Sequence, residues 1–229
     1  MRKFVNLANG DEINFKVSGN LLVSQSTKNG KTRENKKEFA SLEEAQKARI
    51  KKEWETLKKG YVLRDENANF AQVCLHVYIG GGYSGALAFE SVGESMFVYK
   101  CGDQKNGDQA DFLLALDKDG RVKEQIVLPE ILAWEAARVG ENLILDLDHV
   151  IYKFDPQTGK FTNLSRELKL RGADEFYSFV CKGESKVAFG ASGKIFVTDG
   201  ERILNFGEFK TTPIKGKAPL CVAFDDDRL

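Results

Sequence analysis

FASLEEAQKARIKKEWETLKKGY, residues 39–61, decides the reading of the first part of the chain. Ser41 followed by Glu44 is the spacing of a capping box, in which hydroxyl and carboxylate each take up a backbone N–H that the first helical turn leaves unpaired. From Leu42 to Lys59 there is no Pro or Gly, and Ala, Leu, Glu, Lys, Gln and Arg dominate, all good helix formers. Ile50, Trp54 and Leu57 fall on one face with Leu42 at its edge, so the spacing predicts that this face is the buried one. Gly60 offers a left-handed exit, and Lys58 and Lys59 suit the negative end of the helix dipole.

Upstream, Phe4–Leu7 and Asn14–Val17 read as short strands separated by the Asn9-Gly10 turn signal. Ser18-Gly19-Asn20 leads into Leu21–Ser26, and Lys28-Asn29-Gly30-Lys31 turns the chain into Thr32–Phe39. Four short strands in a small antiparallel sheet, with the helix over one face, make an α+β module of residues 1–66. Val62–Gln72 is polar and without periodicity, and reads as a linker.

The order strand, strand, N-G-K turn, K-K-E-F-A-S, long helix and L-K-K-G-Y resembles the WGR domain over about residues 3–64. The resemblance is strongest at Phe39-Ala40-Ser41 with Glu43, Glu44 and Ala45, and at Leu57-Lys58-Lys59-Gly60-Tyr61. The Trp-Gly-Arg tripeptide that names the family is replaced by Val23, Ser24 and Gln25. The resemblance therefore implies the fold, whereas the stacking and phosphate-gripping that Trp and Arg would supply are absent. Nucleic-acid contact in this module would rest on Lys28, Lys31, Arg33, Lys36 and Lys37, which are interleaved with Glu34 and Glu38.

Residues 67–229 change to recurrent short apolar segments and read as an all-β, propeller-like domain. One unit runs from Glu94 to Leu128, a second from Glu141 to Leu164 and a third from Glu184 to Phe206. A spacing in the forties with strand-rich units is the footprint of propeller blades. Asp117–Gly120, Asp155–Gly159 and Asp199-Gly200 supply the Asx side chains and glycines that tight hairpins use. A β-sandwich is the alternative. The ends, FAQVCLHVYI and APLCVAFDDDRL, would jointly supply a fourth blade. An open ring, one completed by another copy, or a truncated chain are the other arrangements.

The charge is zero overall but uneven. Residues 1–66 hold 15 Lys/Arg against 10 Asp/Glu, and the remainder 19 against 24. An anionic partner for the first module is one consequence; two surfaces of ordinary solvated charge is the other. There is no signal-peptide pattern, so a cytoplasmic location is expected. Four dispersed cysteines and two histidines suggest buried small residues, not a metal centre.

Candidate motifs give little chemistry. Gly80–Gly85 is formally G-x-G-x-x-G, but no helix pattern follows, and a turn is the better reading. Gly190–Lys194 lacks the first glycine and the Ser/Thr of a phosphate-binding loop. Asp117 and Asp119 resemble the opening of a calcium loop without its closing glutamate. Asp146 and Asp148 share one strand face, read as solvated, with Leu145, Leu147 and His149 opposite. Asp225–Asp227 reads as a polar tail. Trp134 reads as a core aromatic or as part of a partner-binding rim. No catalytic set, cofactor, metal or membrane segment is expected. The sequence points to a non-catalytic, intracellular interaction or scaffold protein that holds a protein partner, with a nucleic-acid-associated regulator as the alternative.

Overall fold

The computed structural model describes residues 2–65, 75–80, 88–102, 107, 110–169 and 176–208. The chain divides into two units, residues 1–80 and 81–229. The expected boundary at 66 falls within the first, in residues outside the described set. Antiparallel sheet dominates both units, with a single α-helix among the described residues.

In the first unit, β1 (Arg2–Asn6), β2 (Glu12–Ser18), β3 (Leu21–Lys28) and β4 (Lys31–Glu38) precede helix α1 (Leu42–Leu57), and β5 (Tyr61–Arg64) and β6 (Leu75–His76) follow it. The sheet order is β4-β3-β2-β1-β5-β6. Lys28 pairs with Lys31 across the two-residue turn Asn29-Gly30, whose φ values of 49° and 72° match the right-handed strand twist that such turns must follow. The expected linker is thus partly a strand: Val62 and Leu63 are buried in β5, paired with β1. Their apolar side chains outweigh the polar composition of the residues after them.

Ser41 Oγ accepts the Glu44 N–H at 3.2 Å, and Glu44 reaches back to the Ala40 N–H. This is the predicted box with its return bond one residue early. The buried face differs from expectation. Leu42, Ile50 and Trp54 are half exposed, whereas Ala45, Glu53, Thr56 and Leu57 are buried. Small Ala45 lets the helix approach the sheet, where Phe4, Phe15, Tyr61 and Leu63 join Leu57 in one core. Glu53 is tolerated there because Arg49 Nη1 donates to it at 2.6 Å and Arg2 lies 3.4 Å away. Apolar spacing alone misplaces the stripe because a paired carboxylate substitutes for a hydrophobe.

Among its described residues the second unit holds three four-stranded sheets, each an up-and-down meander. The first comprises β7 (Phe89–Val92), β8 (Ser95–Lys100), β9 (Phe112–Leu116) and β10 (Val122–Val127). The second comprises β11 (Ala133–Val139), β12 (Asn142–Leu147), β13 (Val150–Asp155) and β14 (Lys160–Asn163). The third comprises β15 (Phe176–Lys182), β16 (Val187–Ala191), β17 (Lys194–Thr198) and β18 (Ile203–Glu208). Each predicted three-strand unit is the last three strands of a sheet. The first strands β7, β11 and β15 lie before the expected starts, and β11, AWEAARV, is masked by its alanines, which carry little β-propensity. These first strands meet, β7 against β11 and β11 against β15.

The middle sheet is buried on both faces. Leu143, Leu145, Leu147, Tyr152 and Phe154 pack against Phe97, Tyr99, Leu113 and Ala115 of the first sheet. Ile144, Ile151, Ala137 and Val139 on the other face pack against Val187, Phe189, Ala191 and Phe196 of the third. The hairpins behave as their composition predicts. Asp117 accepts the Arg121 and Asp119 N–H groups, Asp155 accepts the Thr158 hydroxyl and the Gln157 N–H, and Asp199 accepts the Glu201 N–H. These donors favour the anion and hold all three carboxyls below the usual range. Asp117 therefore caps the turn in which Asp119 lies. Gly193 ends the Ser192-Gly193 turn between β16 and β17, so the glycine-rich stretch there is a hairpin. The G-x-G-x-x-G stretch beyond Gly80, the Asp225–Asp227 tail and the APLCVAFDDDRL end lie outside the described residues. The other end expected to share a fourth blade, FAQVCLHVYI, is described from Leu75, and there it departs from expectation: Leu75 and His76 form β6, paired with β5 in the sheet of the first unit.

Candidate interaction platform

Two carboxylates buried in the second unit build its most elaborate surface from beneath. Asp111, just before β9, accepts the Tyr99 hydroxyl at 2.7 Å, the Gly102 N–H at 2.8 Å and the Leu132 N–H at 2.8 Å. Burial pushes its carboxyl up, but the Gly102 and Leu132 amides, with the Tyr99 hydroxyl, outweigh that and draw it below the usual range. Tyr99, wholly buried beside this anion, is held protonated far above the usual phenol range, by desolvation first and by Asp111 second. The bond to Leu132 ties the loop that enters β11 to the first sheet.

Asp146 is the second. It lies on β12 with no solvent exposure, which corrects the solvated strand face expected for it. The expectation assumed one open face; β12 has none, so a polar residue there must find its donors within the protein. Asp146 Oδ1 accepts the His149 N–H at 2.8 Å. Asp148 and His149 form the two-residue turn between β12 and β13, with φ values of 48° and 66°. They are therefore no longer part of the strand's alternation. The Asp148 N–H donates to the Leu132 carbonyl at 3.0 Å, joining this turn to the loop before β11. Leu132 itself has φ 55°, a left-handed conformation that costs an L residue about 1–2 kcal/mol. Bonds to both its N–H and its C=O hold it there.

Trp134 sits where these supports converge. Ala133 pairs with Leu147 and Glu135 with Asp146, so Trp134 is the additional residue of a β-bulge. A bulge re-aims the side chain it carries. Trp134 is 42 % exposed, and its ring stacks on His149 with an interplanar angle of 14° and centroids 6.4 Å apart. Ile131, in the same loop, is also exposed. Behind the platform Lys182 donates to Glu135 and to the Ala136 carbonyl, both at 2.8 Å, fastening β15 to β11. Sequence reasoning singled out Trp134, weighed His149 only as a strand residue beside Asp146 and Asp148, and did not reach Leu132 or Asp111. The Asp148-His149 pair between two apolar runs was the signal available for the turn.

The other candidates belong to the first unit. Lys28, Lys31 and Arg33 line an open concavity with Ser26 and Asn29. The pairing Lys28–Lys31 and Ser26–Arg33 puts these side chains on one face, joined along β4 by Lys37, whose ammonium lies 5.1 Å from the centre of the Phe39 ring. Lys36 points to the other face, 2.9 Å from Glu34. The five basic residues therefore do not form one patch. Lys28 also lies 3.8 Å from Asp11.

No group of acidic, histidine or cysteine side chains among the described residues has the arrangement of a metal site. No described helix is long and apolar enough to cross a membrane. No family model matches the chain, and no curated protein matches it. Among solved structures, the chain aligns with one described as "Crystal structure of HIRA(644-1017)" at 13% identity and a TM-score of 0.34. That alignment covers 86% of this chain and 49% of the solved one, so the chain spans about half its length.

Proposed function

We propose that this chain is a non-catalytic, intracellular interaction scaffold, in which a WGR-like module precedes a propeller-like array that holds a protein partner. The propeller-like reading is supported by three face-packed meanders whose first strands, β7, β11 and β15, adjoin one another. The WGR-like reading is supported by the capped helix on an antiparallel sheet, following the strand order and turn that carry the resemblance. The observation that carries the function is the exposed Trp134 on its bulge. A large aromatic displayed by fixed backbone is the kind of anchor on which protein interfaces concentrate their energy. A photo-crosslinking residue at Ile131 of the full chain, tested in source cells, is expected to capture a discrete partner. The same residue at Lys160, on the peripheral strand β14, serves as control. Equal labelling at both positions would sink the reading.

The second reading, a nucleic-acid-associated regulator, is favoured by one observation: Lys28, Lys31 and Arg33 facing a common concavity. Its test is duplex-DNA binding by the full chain at low salt, weakening steeply as salt rises and weakened again by Lys31→Gln with Arg33→Gln. Binding insensitive to both would eliminate it.

A further inference from the structure

We propose that the open edge of β4 takes up an extended segment of a partner protein as a further strand, and that acidic residues at alternate positions of that segment select it. This surface is separate from the Trp134 platform and does not depend on it. β4 borders its sheet, pairs with β3 over eight residues in unbroken register, and is exposed along its whole length. In an antiparallel ladder alternate residues turn both backbone groups to the neighbour, and those between turn them away. The Phe39 N–H donates to the Asn20 carbonyl at 2.9 Å, which places Lys37, Asn35, Arg33 and Lys31 in the bonded set. Thr32, Glu34 and Lys36 therefore direct N–H and C=O outward, in the spacing that a new strand completes. Edges are blunted by proline, by bulges or by charge; β4 has no proline and no bulge, so its charges decide what pairs with it.

Those charges differ between the two faces. On one, each side chain is engaged within the chain: Thr32 by Thr27 at 3.0 Å, Glu34 and Lys36 by each other at 2.9 Å, and Glu38 by Asn20 at 3.1 Å. On the other, Lys31, Arg33 and Lys37 meet no carboxylate among the described residues, and Lys37 lies over the Phe39 ring. Lys31 and Arg33 border the concavity with Lys28, and Lys28 alone of these cations has a carboxylate near it, Asp11 at 3.8 Å. A guard against self-pairing is served by cations on either face; here the uncompensated ones share a single face. Side chains on one face of a strand recur about 6.8 Å apart, so alternate carboxylates of an added strand fall opposite these cations. A second copy would set the basic face against itself, whereas an acidic strand forms opposite-charge pairs. Phosphates could accept from the outward N–H groups but offer no donor to the outward carbonyls. An added strand satisfies both, with main-chain bonds giving affinity and alternate side chains giving choice.

The test uses the full chain at low salt and the peptide acetyl-Glu-Thr-Glu-Val-Glu-Thr-Glu-amide. Saturable binding should slow hydrogen exchange at the Thr32, Glu34 and Lys36 amides, which a bound strand covers. Methylating the backbone nitrogens of the peptide's threonines and valine, which face β4 in an antiparallel pairing, should weaken binding about tenfold or more. Methylating those of its glutamates, which face away, should have a smaller effect. On the protein, Glu34→Pro removes one outward N–H at a border-strand position that tolerates proline. Glu34→Gln makes the same change of charge and keeps the N–H. Contact through charge alone would strengthen binding equally in both, whereas strand addition is lost in Glu34→Pro alone. Arg33→Gln with Lys37→Gln should weaken binding about fivefold. No saturable binding, equal binding by the two Glu34 variants, or binding that leaves the three amides unprotected would overturn the proposal. So would self-association of the unaltered chain through β4, which would give the edge to a second copy. Duplex DNA protecting these amides where the peptide does not would give it to nucleic acid.

Discussion

Strands β4 and β12 show two ways of making a strand. Every residue of β4 is exposed, and it borders its sheet through pairing with β3 alone. In β12 the five residues after Asn142 are buried, with packed sheets on both faces. One strand is specified by a left-handed Asn29-Gly30 turn and an unbroken register, the other by side chains with nowhere else to go. The difference teaches where each unit keeps its stability and where it is free to vary. Substitutions in β12 should act on folding, and substitutions in β4 on what the surface meets.

The largest effect expected is from Leu145→Ala. Leu145 is wholly buried in the middle sheet, facing the first. Its truncation should cost about 3 kcal/mol, the transfer term plus the cavity left behind. Urea unfolding read through Trp134 in the Trp54→Phe background isolates the second unit. A loss below about 1 kcal/mol would mean that the sheets repack freely and that β12 is not the rigid member of the pair.

Next in size is the Asp111 network, which sharpens the comparison by asking whether polar groups in the buried region also hold it together. Asp111→Asn should cost about 1–2 kcal/mol, since one oxygen must then serve three donors. The pH dependence has a definite sign. The folded carboxyl titrates below the unfolded value of about 3.9, so its stabilisation is present above that pH and is lost as pH falls through the folded value. Tyr99 acts at the other extreme. Its phenol is raised in the fold, so its contribution is full below the unfolded value of about 10 and declines as pH rises beyond it. Asp111→Asn should flatten the acid limb of the stability curve and Tyr99→Phe the alkaline limb. An alkaline limb unchanged in Tyr99→Phe would remove the phenol from this account.

These buried carboxylates also mark how far the sequence could be read. The capping box, the Asn-Gly and Asp-Gly hairpins and the recurring apolar runs announce themselves, because local chemistry fixes them. What escaped reading depends on a second element. Glu53 looks like a surface residue until Arg2 arrives from β1, and Trp54 looks like core until Ala45 and Leu57 prove to face the sheet. Asp146 reads as solvated unless a third sheet is known to cover it. The platform shares this limit: Trp134 is visible in the sequence, but its bulge, Leu132 and the anchoring Asp111 are brought together only by the register of two sheets.

The smallest effect on stability is expected where the exposed strand is stripped of charge. Lys31→Val with Arg33→Val places two β-branched residues on β4, both at exposed positions. Surface changes away from caps and buried networks stay within about 0.5 kcal/mol, and β-branching favours the strand slightly. The consequence should appear elsewhere. Lysine and arginine along a border strand discourage pairing with another chain, because a second copy would bring like charges into register. Removing them should leave unfolding of the first unit, followed through Trp54 in a Trp134→Phe background, nearly unchanged, while sedimentation velocity shows concentration-dependent association. If stability instead fell by 2 kcal/mol or more, β4 would be a packed strand like β12, and the contrast between the two would be lost. If stability held and the protein stayed monomeric, its charges would serve a partner, and the salt-dependent DNA measurement on the same two positions would become the deciding one.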